Sequence, residues 1–319
     1  MFILITGAAG FIGQIVARAL LDDESNELLL ADITTPPVPP GAKNPHRCKC
    51  VQVDLVEAAS SIIPANLDAA ILLHGIMSSG AEADFELGYR VNVDATWSLL
   101  KSLAAQCPGV TVLYASSEAV YGRPVPKQGV TEKDITTPEI SYGCQKIICE
   151  TLINDYTRRG MLNGFSLRFP TISVRPGAPS AAVTSFLSGV IREPFNGQTC
   201  TIPLQDRAWR HWMCSPKTLV HNILVALKLE KDALPPHRRA VNMPGFGVTI
   251  QDMLDALAEV GGTDKLSLVE ERPVPELKSL LYSWADDFDN SLALSLGMKQ
   301  DTSFVQSVRD YKETLDSGL

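Results

Sequence analysis

Six short apolar runs, at 2–6, 27–31, 51–54, 69–74, 110–115 and 165–169, alternate with stretches of helical character. That rhythm predicts an α/β fold: a doubly wound parallel sheet with helices on both faces and right-handed crossovers. Helices are expected near 11–21, 85–106 and 141–159. After about Ile172 the rhythm fails. A helical stretch at 181–192 leads to a segment around 207–214, a helix near 218–229, a strand-like 240–243 and a mostly helical tail. The expected division is a dinucleotide-binding domain over 1–172, to which 216–244 returns, and a smaller interleaved substrate lobe over 173–319. The proline-rich run 34–45 reads as a surface loop.

With 319 residues, 45% of them apolar, the chain can bury a full core. Its net charge of -8 argues against a nucleic-acid or anionic-membrane surface and leaves a small soluble partner as the expectation. The opening MFILITGAAGFIGQIVARALL lacks the basic start of a signal peptide and reads as strand, turn and helix. No run is long enough to span a membrane, and a soluble, cytoplasmic protein is expected. The seven irregularly spaced cysteines read as reduced thiols. Strand alternation would turn the sulfurs of Cys48 and Cys50 to one sheet face, but no second Cys or His pair at zinc-like spacing accompanies them, so no metal is expected.

Thr6-Gly7-Ala8-Ala9-Gly10-Phe11-Ile12-Gly13 joins the first strand to the first helix. Gly7 can make the tight turn, Gly10 admits a pyrophosphate against backbone, and Gly13 lets helix and sheet pack closely. The helix N-terminus then faces the phosphates. At the end of the second strand Asp32 can accept from both ribose hydroxyls, or else stand as a solvated strand-end carboxylate. No Lys or Arg follows until Lys43, which favours NAD over NADP. Asp54, after the third strand, has two readings of nearly equal weight: adenine contact or a plain surface acid.

Tyr142 and Lys146 are one helical turn apart and emerge from one face. An ammonium about 4 Å from the phenol, at an effective dielectric near 20, would contribute roughly 4 kcal/mol, or about three pKa units, toward making it a base. Ser117, just beyond the fifth strand, either holds a substrate oxygen for Tyr142 or caps a turn.

The TGxxGFIG start, the SSxAVYG stretch holding Ser117, the YxxxK pair and Asn92-Val93-Asp94-Ala95-Thr96 together resemble the extended short-chain dehydrogenase/reductase family, in which nucleotide-sugar epimerases and dehydratases are prominent. The resemblance implies a Rossmann-type domain holding NAD, with Phe11 and Ile12 over the pyrophosphate, Asp32 on the ribose, and Asp54 with Leu55 at the adenine. It places His74, Gly75, Ile76 and Asn92 beside the cofactor, although a strand-end packing role for His74 competes. Pro170 and Thr171 would meet the nicotinamide. It also implies a homodimer paired through the helices near 85–106 and 141–159.

Two departures separate the chain from nucleotide-sugar enzymes. Thr171 stands where those enzymes commonly carry an Asn that helps bind the substrate pyrophosphate, and Glu118-Ala119 is one carboxylate short of the dehydratase acidic pair. The segment 168–179, with SFLSGVIREPFNG after it, resembles a narrower branch that oxidises the carbon-2 hydroxyl of a four-carbon sugar acid with NAD. By that resemblance Ser117 and Tyr142 meet the substrate, and Arg210, at the family's diphosphate-binding position, would take the carboxylate. A surface ion pair with Asp206 is the competing reading; Arg175 and Arg192 are the reserve candidates. A nucleotide-sugar epimerase with tightly bound NAD and a non-catalytic NAD sensor stay open as alternatives.

Overall fold

The structure, a computed structural model, describes residues 1–126, 129–179 and 183–316. Its first six strands are β1 (Phe2–Thr6), β2 (Glu27–Asp32), β3 (Cys48–Gln52), β4 (Ala69–Leu72), β5 (Thr111–Ser117) and β6 (Asn163–Phe169). Six more are short: β7 (Thr171–Ile172), β8 (Cys200–Ile202), β9 (Arg210–Cys214), β10 (Ala240–Asn242), β11 (Phe246–Thr249) and β12 (Val269–Glu271). The central sheet runs β10-β6-β5-β4-β1-β2-β3, and every pair in it is parallel. The expected doubly wound sheet is therefore present.

Its strands read as continuous apolar runs because both faces are covered. Ile3, Ile5, Leu28, Leu30 and Ile71 pack under helices Phe11–Leu20 and Pro216–Ala226. The alternating Leu4, Leu29, Ala70 and Leu72 pack under Ala95–Gln106 and Ser141–Arg158. Strand order reverses between β1 and β4, which opens a crevice at the strands' carboxyl ends.

Three local expectations need correction. β3 spans Cys48–Gln52 rather than 51–54, because its register is set by pairing Leu28 with Cys48 and Asp32 with Gln52, and the chain then leaves the sheet. The expected helix at 85–106 is interrupted: Phe85–Tyr89 passes through a π-helical turn at Arg90–Asp94 into Ala95–Gln106. Residues 181 and 182 of the stretch expected to be helical lie outside the described residues, and the helix there is Ser185–Phe195.

A second core gathers Leu187, Val190 and Ile191 from Ser185–Phe195 with Met253 and Leu257 from Ile250–Gly261 and Val308 from Phe304–Asp316. Next to it lies the small sheet β11-β9-β7. β7 follows β6 after one residue, so this sheet starts at the crevice. No helix among the described residues is long and apolar enough to cross a membrane.

Candidate active site

A cleft of about 780 Å³ opens at the crevice. Its floor is the turn after β1. Gly7 has φ 68°, and a side chain there would place Cβ 2.6 Å from the His74 backbone nitrogen. At Gly13 a Cβ would lie 2.5 Å from the Gly7 carbonyl oxygen. Gly10, by contrast, meets only that oxygen at 3.3 Å and caps Phe11–Leu20 without a side chain, so the first helical N–H groups are open to a ligand. Phe11 and Ile12 line the cleft beside it.

Asp32 ends β2 and accepts from Ala9 N at 2.9 Å and Ile33 N at 2.7 Å, which ties the carboxylate to the glycine turn. Asp54 and Leu55 also line the cleft, but Asp54 caps helix Leu55–Ala58 by accepting from Val56 N at 2.9 Å. These residues fit a dinucleotide: an open helix end for phosphates, a turn that tolerates only glycine, and a carboxylate with lone pairs for a diol.

His74, Gly75 and Ile76 form the opposite lip. Thr96 gives its one hydroxyl proton to Asn92 O at 2.8 Å, so at 3.0 Å from His74 Nε2 it acts as the acceptor. Nε2 therefore carries the hydrogen, and Nδ1 accepts from Thr6 at 2.7 Å. Burial, aided by the Lys146 charge, pushes His74 down to about 3. It is a neutral tie between strand ends. Asn92 is 1% exposed and does not line the cleft; its amide brackets Ile76, accepting from N at 2.7 Å and donating to O at 3.0 Å. The loop is what Asn92 holds.

Helix Ser141–Arg158 brings Tyr142 and Lys146 to the cleft on one face. Lys146 Nζ donates to Ala115 O at 2.7 Å and lies 5.2 Å from the Tyr142 ring centroid. Burial pushes Tyr142 up to about 12, opposed by the Ser117 hydroxyl, and pushes Lys146 down to about 8. The expected lowering of the phenol by the ammonium is absent in this geometry, because Nζ faces a carbonyl and not the phenol oxygen. Ser117 ends β5, where its hydroxyl accepts from Ala119 N at 3.2 Å. It caps a turn and faces Tyr142 at once.

Pro170 and Thr171 line the far wall. Arg210 does not. Alternation along β9 turns it outward to Asp286 at 3.3 Å and Asp287 at 3.7 Å, with 40% of its side chain exposed. Arg175 does line the cleft, and burial lowers its pKa, with Arg192 adding repulsion. Arg192 is engaged elsewhere, donating to both oxygens of Glu193 and to Arg175 O.

Residues 3–237 match the NAD dependent epimerase/dehydratase family. The chain belongs to this family. It is similar to D-erythronate dehydrogenase of Haemophilus influenzae, 35% identical over 98% of this chain and 99% of the relative. It is likewise similar to D-erythronate dehydrogenase of Cupriavidus necator, 37% identical over 100% of this chain and 99% of the relative. Among solved structures, the nucleoside-diphosphate-sugar epimerase from Agrobacterium tumefaciens superimposes with a TM-score of 0.91 at 32% identity, covering 100% of this chain and 95% of that one. Family membership and full-length relatives make the chain an NAD-dependent oxidoreductase.

Two further side chains line this cleft without a site role in the sequence reading. Glu118 lines it with Oε1 buried and without a hydrogen-bond partner among the described residues, and burial pushes its carboxyl well above the usual range. His211 lines it from β9, between Arg210 and Trp212, which both turn away. The signal for His211 was strand period: once β9 is extended, one of the neighbours Arg210 and His211 must face the cleft and the other must not.

Proposed function

We propose that the chain is an NAD-dependent dehydrogenase that oxidises the carbon-2 hydroxyl of a small sugar acid, such as D-erythronate, to the 2-oxo acid, and that it works as a homodimer. The observation that carries the reading is the convergence of Ser117, Tyr142, Lys146 and Arg175 on one cleft in a chain similar along its whole length to two D-erythronate dehydrogenases.

Bound against Gly7, Gly10 and Asp32, with its nicotinamide near Pro170 and Thr171, NAD supplies the hydride acceptor. The protein supplies the proton path. Ser117 holds the carbon-2 hydroxyl and Tyr142 takes its proton. With a pKa near 8, Lys146 is mostly protonated at neutral pH. Swinging Nζ from Ala115 O to the phenol oxygen brings its charge to bear where the phenolate forms. Arg175 takes the place first given to Arg210, since its planar fork suits a carboxylate and it already lies in the cleft wall.

The test mixes purified protein and NAD with four- to six-carbon aldonates and nucleotide sugars while NADH absorbance is recorded. Accumulating NADH with an aldonate is expected. An isomerised nucleotide sugar without net NADH would replace this reading with an epimerase, and NAD binding with neither reaction would replace it with a sensor. Tyr142→Phe is expected to bind NAD normally and to lose roughly 100-fold or more in kcat.

A further inference from the structure

Beside the place given to the nicotinamide, the cleft wall carries a polar pair, Thr171 and His211, that the proton path above does not use. Ser117 and Phe169 stand level across β5 and β6, so Thr171 lies two residues past the reacting level, roughly 7 Å of extended chain. Its Oγ1 is 2.7 Å from His211 Nε2. The imidazole is 4% exposed and stacks on Trp209, with ring centroids 5.4 Å apart and planes 14° apart. Trp284 lies against it at 5.6 Å. Nδ1 has no partner among the described residues. His211 itself lines the cleft, so this unpaired nitrogen belongs to a side chain of the cleft wall.

We propose that His211, paired with Thr171, is a specificity residue that recognises a hydroxyl of the substrate beyond carbon 2; the assignment rests on the sugar-acid reading above. Burial pushes the imidazole down to about 4, so it is neutral at working pH and offers no charge to a carboxylate. In one tautomer Nε2 donates to Thr171, leaving Nδ1 as an acceptor and the Thr171 proton free. In the other Thr171 donates to Nε2, leaving Nδ1–H as a donor and Oγ1 as an acceptor. Either way the pair presents one donor and one acceptor without net charge, which complements a hydroxyl. A substrate with only hydrogen at that carbon leaves both groups desolvated and unmatched, and such mismatches discriminate more strongly than a missing methylene.

The experiment compares kcat/KM for a 2,3,4-trihydroxy four-carbon acid and for 2-hydroxybutanoate in wild type, His211→Phe, His211→Gln and Thr171→Val. Phe keeps the ring stacking, whereas Gln restores a hydrogen-bonding group near Nε2. Wild type is expected to prefer the hydroxylated acid. His211→Phe is expected to lower kcat/KM for that acid roughly 10- to 100-fold, mainly through KM, and to leave the deoxy acid and NAD affinity unchanged. His211→Gln should recover part of the loss. Thr171→Val should narrow the same preference, and the double variant should narrow it no further than the single ones.

Equal preference in wild type and His211→Phe, or equal losses for both acids, overturns the assignment while leaving the dehydrogenase reading intact. Loss of NAD binding in His211→Phe, read by fluorescence titration, makes the residue structural and also overturns it. A wild type that oxidises no acid overturns the sugar-acid reading and this assignment together.

Discussion

Glu118 and His74 are buried titratable groups whose shifts act on stability in opposite directions. The Glu118 carboxyl is raised by burial from its ordinary 4.5, so the protonated form is the one the fold favours. Its contribution is complete below about 4.5 and is lost as pH rises toward the raised value. His74 is lowered from 6.5 to about 3, so its contribution is complete above 6.5 and is lost as pH falls toward 3. Glu118→Gln keeps the size of the side chain and removes the ionisation. In thermal melts the variant should match wild type near pH 4 and gain on it as pH rises above the ordinary carboxylate range. Parallel melting curves for the two proteins across that range would place Glu118 in contact with water or with a compensating cation.

At the scale of elements, the helix that carries Tyr142 and Lys146 is held by a buried ion pair. Glu150, one turn beyond Lys146 on Ser141–Arg158, accepts from Arg168 Nε at 2.9 Å and Nη2 at 2.6 Å, and from the Ser116 hydroxyl. Arg168 Nη1 also donates to Tyr121, whose hydroxyl reaches Asn242 of β10 at 2.9 Å. Helix, β5, β6 and β10 are thus joined by one buried network. Glu150→Gln strands a buried guanidinium and should cost about 3–5 kcal/mol in denaturant unfolding, whereas the Glu150→Met, Arg168→Met double variant should recover much of that. A double variant no better than the single would show that the pair contributes net stability. None of this network was legible in the sequence, because its partners meet only after the sheet forms. The sheet was legible, since strands covered on both faces leave continuous apolar runs. The glycine turn, Asp32 and Ser117 stood out because each sits at a strand end, and Tyr142 and Lys146 because one helical turn puts both on one face; the structure sets all of them along the cleft. The strand pairings after Ile172 were not legible. β7 and β9 pair across about forty residues and β8 with β12 across about seventy, too far for local pattern to announce. Reading 207–214 by residue type, without its strand period, singled out Arg210, which faces away from the cleft, and passed over His211, which lines it.

The whole molecule leaves an apolar surface on the sheet face away from helix Phe11–Leu20. Phe85 is 55% exposed, Leu87 40%, Trp97 45% and Ile148 36%, and all four lie on the segments 85–106 and 141–158. Singly, such residues are ordinary on a soluble protein. Here they belong to neighbouring helices that share one core, and a two-fold axis through that face would set the helices of one copy against those of another. Lys101 covers part of the Trp97 ring, its Nζ 4.6 Å from the centroid, so the patch has a charged margin. Of this surface Leu87 also lines the cleft, but Trp97 and Ile148 do not, so those two can be changed without touching it. Sedimentation of wild type is therefore expected at twice the 34.6 kDa chain mass. The Trp97→Glu, Ile148→Glu double variant is expected to sediment as a monomer that still binds NAD, because each charge would have to be buried without a partner in the paired form. A dimer that survives both charges puts the contact on another face, and a monomeric wild type removes the pairing altogether.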